Sequence, residues 1–352
     1  MSVSSLSIAQ ISALSATAIK GFSTTDIQSL TGTQIAAISA TGIGALDDTQ
    51  VAALSTTQIK ALTTTQIPKF ATSVTFDVTQ LQQLSTQQVQ ALTSTQLASL
   101  DSSHIQGLSA TQLGVLSSTN FSALDATQIG ALSATQIKGV TATQVKGLTT
   151  TDIGELAGTQ VAALAADRLA AMSATNVSAM DTTQVAALTS TQIAALSVTQ
   201  IKGLNATDVG ELSATQISSL STLQLTALTP AAFSALDATQ VGALSTTQVR
   251  SVTLDQIKGL NATDVGEFAT TQISALTAAQ IGALASTQLA QLATTQVAAL
   301  ATTQVIALTT SAFAALDATQ VGALATTQVK ALTTAQLNAL APADIGEFAD
   351  TQ

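Results

Sequence analysis

Residues 124–132 read Leu-Asp-Ala-Thr-Gln-Ile-Gly-Ala-Leu, and this stretch decides the fold. Asp125 is a good helix N-cap, and Gln128 stands three residues later, where its side chain can bond back to the N-cap backbone. Leu124 and Ile129 flank this capping box as the two members of a hydrophobic staple. The stretch therefore predicts a helix that begins just after Asp125.

The motif returns every eight residues, and each copy is called an octad below. A large aliphatic residue or Phe occupies position 81 and every eighth position to 345, and an earlier series runs from Val3 to Ile67. Eight residues of α-helix turn by about 800°, which rotates the apolar pair by about 80° at each repeat and excludes one continuous helix. Short helices that restart in each octad and pack on one another satisfy the pattern. We predict an all-α solenoid with one very short helix per octad.

A β-solenoid is the alternative, because Thr, Val and Ile are abundant and short repeats also build β-helices. Strict alternation of apolar and polar residues is absent, since both Ala131 and Leu132 follow Ile129. Pro230 and Pro342 fall at the first helical position, where the missing N–H is not needed. These prolines favour the helical solenoid.

One irregular stretch interrupts the repeat. Leu81 lies two positions closer to Ile67 than a spacing of two octads would place it, and residues 74–76 resemble a strand or a kink more than an octad. The predicted organisation is a first array at residues 1–67, an irregular break at 68–80 and a second array at 81–352.

A longer period of seven octads lies on top of the short one. Phe-Ser-Ala-Leu-Asp begins at 121 and 233 with Val-Ser-Ala-Met-Asp at 177 between them, and Asp-(Ile/Val)-Gly-Glu begins at 152, 208 and 264. The next copies of these two features, at 313 and 344, follow after ten octads. Duplication of blocks explains both spacings, and their difference of three octads suggests about three octads per turn of the solenoid.

The composition excludes several functional classes. A net charge of -10 opposes binding to phosphate backbones, so we expect no nucleic-acid partner. With no Cys and His104 as the only His, we expect no disulfide and no thiolate or multi-His metal site. No apolar run is long enough for a membrane span, and residues 1–10 lack the features of a cleaved signal peptide. We expect no enzyme activity and no cofactor.

The candidate chemical groups all fit a structural interpretation. Each Glu, at 155, 211, 267 and 347, follows an Asp by three residues, which places both carboxylates on one helical face. We interpret the Asp as a capping-box residue and the Glu as a solvated side chain copied with its block. Lys146, Lys202 and Lys258 precede these Asp residues by six positions, so we expect surface ion pairs.

Three further features stand out from the pattern. His104 occupies the position of the usual Gln, which we interpret as a capping substitution at the surface. The Phe residues take aliphatic positions, which indicates core packing. Thr127, Thr135 and Thr143 belong to a register of hydroxyls that repeats every eight residues. This register is the one surface feature regular enough to suggest a ligand-binding module for a lattice such as ice, or for a glycan.

The stretch Ala-Leu-Thr-Ser-Thr-Gln-Ile-Ala-Ala-Leu at 187–196 and its many variants resemble tracts of very large secreted bacterial proteins described as haem-utilisation or adhesion proteins. The resemblance covers the chain outside residues 68–80. It implies a non-enzymatic structural or adhesive segment of a larger protein, an extended stalk or filament outside the cell or at its surface, exported without a cleaved N-terminal signal. Its partners would be further copies of itself or surface glycans. The haem part of that description lacks ligands here, because His104 is the only imidazole and neither Cys nor Tyr occurs.

Overall fold

The computed structural model describes residues 3–340, 345, 346, 348 and 352. In this part of the chain the regular structure consists of 40 short α-helices and two 3-10 helices, with no β-strand. The predicted all-α solenoid of very short helices is confirmed, and the β-solenoid alternative is wrong.

The chain divides into two compact units, Met1–Met172 and Ser173–Gln352, called unit 1 and unit 2. The helices are numbered α1 to α40 in chain order. Unit 1 has 3-10 helices at Val3–Ser5 and Ile67–Lys69. Its α-helices are α1 Ile8–Ser12, α2 Ala16–Lys20, α3 Thr24–Ser29, α4 Gly32–Ala37, α5 Ala40–Ile43, α6 Asp48–Ala52, α7 Thr56–Ala61, α8 Val78–Gln83, α9 Thr86–Gln90, α10 Ser94–Ala98, α11 Ser102–Gly107, α12 Ala110–Gly114, α13 Ser118–Ser122, α14 Ala126–Ala131, α15 Ala134–Ile137, α16 Ala142–Lys146, α17 Thr150–Glu155, α18 Gly158–Ala163 and α19 Ala166–Leu169.

The helices of unit 2 are as short as those of unit 1. They are α20 Ala174–Ser178, α21 Thr182–Ala187, α22 Ser190–Ala195, α23 Val198–Gly203, α24 Ala206–Gly210, α25 Ala214–Ser218, α26 Thr222–Ala227, α27 Pro230–Ser234, α28 Ala238–Gly242, α29 Thr246–Ser251, α30 Leu254–Gly259, α31 Ala262–Gly266, α32 Thr270–Ala275, α33 Ala278–Gly282, α34 Ser286–Leu289, α35 Thr294–Ala298, α36 Thr302–Ala307, α37 Thr310–Phe313, α38 Ala318–Gly322, α39 Thr326–Lys330 and α40 Thr334–Asn338.

Helix α14 shows the local structure of an octad. The Asp125 carboxylate accepts the backbone N–H of Gln128 at 2.9 Å, and the Gln128 side-chain oxygen accepts the backbone N–H of Asp125 at 3.0 Å. The helix ends at Ala131, and the backbone of its C-cap Leu132 is extended. The predicted capping box is therefore confirmed. Pro230 begins α27 as predicted, and Pro342 lies outside the described residues.

Within each unit the helices stack on the helix three octads further along. Thus α4 packs on α7 in unit 1, and α23 packs on α26 in unit 2. Side chains also reach back four helices, as when Gln144 of α16 bonds the carbonyls of Leu113 and Leu116, 31 and 28 residues earlier. One turn of the solenoid therefore holds about three and a half octads, roughly 28 residues. The expected value of about three octads per turn was too low.

This turn length explains the period of seven octads. Seven octads make about two whole turns, so residues seven octads apart within a unit face the same direction. A block of this size can be copied without changing which side chains meet between turns. A block of three or four octads is not a whole number of turns, so copying it would make the following side chains face another direction.

The core is made by the predicted aliphatic pair of each octad. Ile129 and Leu132 are typical members, and both are buried. Phe121, Phe233 and Phe313 are the largest fully buried side chains, which confirms their role in the core. Each of them follows a residue smaller than the usual Gln, namely Asn120, Ala232 and Ala312. We infer that the smaller neighbour leaves room for the ring, because protein interiors are close-packed.

Residues 68–80 lie inside unit 1. The part of this stretch for which the sequence suggests a strand or kink is irregular at 71–77 and contains no strand. The rings of Phe70 and Phe76 meet edge to face with centroids 5.0 Å apart. Both rings are buried, so this irregular stretch still contributes to the core of unit 1. The domain boundary at 68–80 stays a prediction from the phase of the repeat.

Small residues after the first aliphatic position allow close helix contact. A Cβ atom added to Gly259 would lie 2.6 Å from the Cβ of Pro230 in the preceding turn, and one added to Gly139 would collide with the backbone of Ala110. No glycine in the described ranges has a positive φ. These glycines are therefore required by packing and not by a left-handed helix end.

Candidate functional site

The most regular polar feature of the structure is the buried Gln at the third position of most helices. Gln272 is an example with 3% of its surface exposed. Its side-chain oxygen accepts the backbone N–H of Ala269 at 2.8 Å. Its Nε2 donates to the carbonyls of Val241 and Leu244 in the preceding turn, at 2.8 and 2.7 Å. One amide thus satisfies an N–H of its own helix and two carbonyls of another helix.

We call these residues the ladder glutamines. In unit 1 the ladder comprises Gln34, Gln50, Gln58, Gln66, Gln80, Gln88, Gln96, Gln112, Gln128, Gln136, Gln144 and Gln160. In unit 2 its members with donors to that unit are Gln216, Gln224, Gln240, Gln248, Gln256, Gln272, Gln280, Gln288, Gln296, Gln304, Gln320, Gln328 and Gln336.

The sequence predicted only half of this role. A capping box accepts either Glu or Gln, because only the side-chain oxygen is used. The second half requires a donor, which a carboxylate lacks. The near-exclusive choice of Gln over Glu at this position was the available signal. A buried carbonyl left without a partner costs about 1 to 3 kcal/mol, so the ladder determines how firmly successive turns hold together.

Three octads carry a buried Asp in place of the ladder Gln, at 152, 208 and 264. Asp264 is 5% exposed, and its carboxylate accepts the backbone N–H of Asn261 at 2.8 Å, as a Gln would. A ladder Gln such as Gln272 bonds the carbonyls 31 and 28 residues before it, and for Asp264 these are the carbonyls of Phe233 and Leu236. Neither of these carbonyls receives a side-chain donor in the described chain. Instead, the Ser234 hydroxyl in the preceding turn donates to Asp264. The direction of the contact between turns is reversed.

The same pair occurs in the other two copies. Ser122 donates to Asp152 at 2.5 Å, and Ser178 donates to Asp208 at 2.6 Å. Each Ser belongs to the first feature of the copied block and each Asp to the second, and the separation between them is the same in all three copies. The sequence showed both features but not their pairing, although the constant separation was visible. Ala314 takes the Ser position relative to Asp344, and Asp344 and Glu347 lie outside the described residues.

The Glu side chains of two of these octads are less solvated than predicted. Glu155 and Glu267 are partly buried, and one oxygen of each is buried without a hydrogen-bond partner. Burial raises the pKa of Glu155, and the charges of Asp152 and Asp125 raise it further. Burial likewise raises the pKa of Glu267, with Asp264 and Asp237 adding to the effect. The prediction missed this because the preceding turn, which contributes Asp125 and Asp237, lies close to these side chains.

The third Glu has a partner that the other two lack. The Thr182 hydroxyl, in the preceding turn, donates to Glu211 at 2.7 Å. We call each group of Ser, Asp and Glu an acidic seam between two turns. The seams comprise Ser122, Asp152 and Glu155; Ser178, Asp208 and Glu211; and Ser234, Asp264 and Glu267.

The expected lysine ion pairs are absent from the described chain. Its ion pairs are His104 with Asp101 and Arg168 with Asp167, so Lys146, Lys202 and Lys258 form none. The prediction assumed that octads adjacent in sequence also touch. At three and a half octads per turn, consecutive octads point in different directions.

His104 is mostly buried, with 19% of its side chain exposed, and its Nδ1 lies 2.7 Å from the Asp101 carboxylate. The His104 backbone N–H and then its side chain lower the pKa of Asp101. The neighbouring glutamines bond on either side of the break, Gln96 to Phe70 and Gln112 to Leu81. From the spacing of these bonds, we infer that His104 lies opposite the irregular segment between Phe70 and Leu81.

Thr127, Thr135 and Thr143 are exposed, as a ligand-facing register requires. They lie on α14, α15 and α16, which follow one another around the solenoid at steps of about 100°. The three hydroxyls therefore face three directions. Threonines that share a direction lie about one turn apart, not one octad.

The described residues form open surface depressions and small enclosed cavities. No group of three or more His, Asp or Glu side chains among these residues is arranged to hold a metal ion. An enclosed cavity among Val177, Met180 and Val185 has a volume of only about 10 Å³. None of the described helices has the length and apolar character that crossing a membrane requires.

Comparisons with known proteins support the repeat and nothing finer. Residues 33–64 and 161–198 match the model of the ALTTAQ repeat family. Both regions contain buried glutamines at the third helix position and capping boxes of the kind described above. A comparison with curated proteins finds no match. The chain is therefore similar to a repeat family over two stretches.

Proposed function

We propose that this chain is a non-enzymatic structural repeat module, a stalk or surface segment of a larger secreted bacterial protein that acts outside the cell or at its surface. The observation that carries the proposal is the glutamine ladder. Most contacts between turns within each unit are of this one kind, so stability is distributed along each unit. Such a design suits a segment whose length can change by copying of blocks.

The polar groups with unusual environments also fit this role. The buried carboxylates of the acidic seams face Ser hydroxyls of the preceding turn, so they are used inside the fold. The alternative, ice or glycan binding through Thr127, Thr135 and Thr143, is less well supported because these residues face different directions. Adhesion by another surface of the array, or assembly with further copies, remains part of the proposal.

Deletion of whole turns tests the structural role. Removing residues 177–232 takes out seven octads and joins Asn176 to Phe233, as Asn120 precedes Phe121. Cysteines introduced at the exposed Thr175 and Thr319 can carry dyes, because the chain has no cysteine of its own. We expect the variant to fold and the distance between the dyes to shorten by two helix layers, about 16 to 20 Å.

The matched control removes a shorter segment. Deletion of residues 177–204 takes out three and a half octads, which is about one turn, and therefore breaks the octad phase. We expect this control to lose helix content by circular dichroism. If the longer deletion unfolds the chain, the modular design is wrong. If the intact chain shows thermal hysteresis or saturable glycan binding that is lost when Thr127, Thr135 and Thr143 are replaced by Val, recognition replaces the structural role.

A further inference from the structure

Two of the three acidic seams leave a carboxylate oxygen unpaired at the contact between turns. In unit 2 this oxygen is Oε2 of Glu267, which is buried and receives no hydrogen bond. Asp264 on its own helix and Asp237, the N-cap of α28 in the preceding turn, are the charged groups that act on it. Helix α34, which packs on α31 from the next turn, consists of Ser, Thr, Gln and Leu and has no ionisable side chain.

The seam of unit 1 has the same arrangement. Oε2 of Glu155 is buried without a partner, and Asp152 and Asp125 are the charged groups that act on it. Asp125 is the N-cap of α14, on which α17 packs. No cation compensates either seam, since Lys146 and Lys258 form no ion pair in the described ranges.

The seam of Glu211 shows what the other two lack. Thr182 bonds Glu211 from the preceding turn, and the residues at the same distance before Glu155 and Glu267 are Ala126 and Ala238. All three positions begin a helix and are exposed. One hydroxyl therefore distinguishes a paired seam from an unpaired one.

We propose that the seams of Glu155 and Glu267 are acid-strengthened joints between successive turns. Uptake of one proton by each Glu removes the charge from an oxygen that has no partner and ends its repulsion by two neighbouring carboxylates. The array then resists separation of its turns more strongly in acid than at neutral pH. The geometry supplies the joint, because one oxygen of each Glu is buried without a partner close to an Asp of the preceding turn.

The raised pKa values of Glu155 and Glu267 support this direction. A carboxyl group whose pKa is higher in the folded chain contributes stability that is present below its unfolded pKa and is lost as pH rises through the folded pKa. Asp26, Asp47 and Asp101 act in the opposite sense, because hydrogen bonds lower their pKa values. Variants of the seams leave these background groups unchanged, so comparison with the natural chain isolates the seams.

The decisive variant adds the missing hydroxyls. The chain with Ala126→Thr and Ala238→Thr is compared with the natural chain by urea unfolding between about pH 4.5 and 7.5, the range above the ordinary pKa of Glu. We expect acidification to raise the unfolding midpoint of the natural chain relative to the variant. Uptake of one proton changes the unfolding equilibrium by at most about tenfold per pH unit for each seam. If the two pH profiles are parallel, the proposal is wrong.

A second variant removes a hydroxyl instead of adding one, and it tests the proposal if the added Thr residues disturb folding. Thr182→Ala removes the partner of Glu211 and should add acid dependence. Thr246→Ala is the matched control, because Thr246 also begins a helix and is exposed, but Ala275 takes the place of the Glu in the next turn. Equal pH profiles for these two variants would also overturn the proposal.

Discussion

Gln272 and Asp264 occupy the same position in neighbouring octads of unit 2, yet they join the turns in opposite ways. On its own helix each accepts the N-cap N–H at 2.8 Å. Between turns, Gln272 donates to two carbonyls, whereas Asp264 accepts from the Ser234 hydroxyl. The local structure is the same, and only the contact with the other turn differs.

The difference shows that this position is defined by two neighbours at once. An amide carries both an acceptor and donors, so it serves its own helix and the preceding turn without further change. A carboxylate carries acceptors only, so the preceding turn must supply the proton donor. The copied block contains both members of that pair, Ser234 and Asp264, which explains why they recur together.

The largest effect should come from the buried aliphatic pair, which the octads with Gln and those with Asp share. Ile193 is 1% exposed, and Ile193→Asp places an unpaired carboxylate in the core. We expect the free energy of unfolding to fall by about 4 kcal/mol or more in urea unfolding. Ala194→Asp is the control, because Ala194 is exposed on the same helix and should tolerate the change within about 0.5 kcal/mol. Equal losses for the two variants would contradict the assignment of the core.

A direct exchange between the two designs should have the next largest effect. Gln272→Asp keeps the capping acceptor but leaves two buried carbonyls without donors, and we expect a loss of about 2 to 4 kcal/mol. Gly242 precedes Gln272 by the same distance as Ser234 precedes Asp264, and a Cβ added to Gly242 meets no atom within 4 Å. The double variant Gln272→Asp, Gly242→Ser should therefore recover part of the loss. Failure to recover any would show that the Ser and Asp pair is incidental.

Removal of the Ser partner should have a smaller effect. Ser234→Ala leaves the buried Asp264 carboxylate without its donor from the preceding turn, and we expect a loss of about 1 to 2 kcal/mol by thermal or urea unfolding. Ser218→Ala provides the comparison, because Ser218 is exposed and its hydroxyl bonds only the Thr215 carbonyl of its own helix. That change should cost less than about 0.5 kcal/mol. Similar losses for the two variants would show that the bond between turns does not contribute to stability.

The smallest effect concerns the N-cap side chain, which accepts the backbone N–H of the third helix residue in octads of either kind. Ala269 is an N-cap without a side-chain acceptor, although Gln272 still accepts its backbone N–H. Ala269→Ser should stabilise the chain by about 0.5 to 1 kcal/mol, because it adds a bond to the N3 backbone N–H. Ser245→Ala should lose a similar amount, since Ser245 now makes that bond with Gln248. A null result for both would mean that contacts between turns dominate the stability of these short helices.

Several separate parts of the candidate site were visible in the sequence. The Asp residues were assigned to capping boxes correctly, and the recurrence of Ser and Asp with the period of seven octads was visible. Their contact was not, because it depends on the number of octads per turn, which no single octad encodes. The same missing number made lysines six positions from an Asp look like ion-pair partners.

The sequence by itself determined where each helix begins and ends and which side chains form the core. These features depend on contacts within about eight residues, such as the bond of Gln128 to the Asp125 backbone, and local patterns specify them. Only the tertiary structure decided what the other half of each Gln does, which carboxylates are buried and which threonines share a face. Those properties depend on contacts about 28 residues apart, which arise from the way short helices stack and not from the preferences of any one helix.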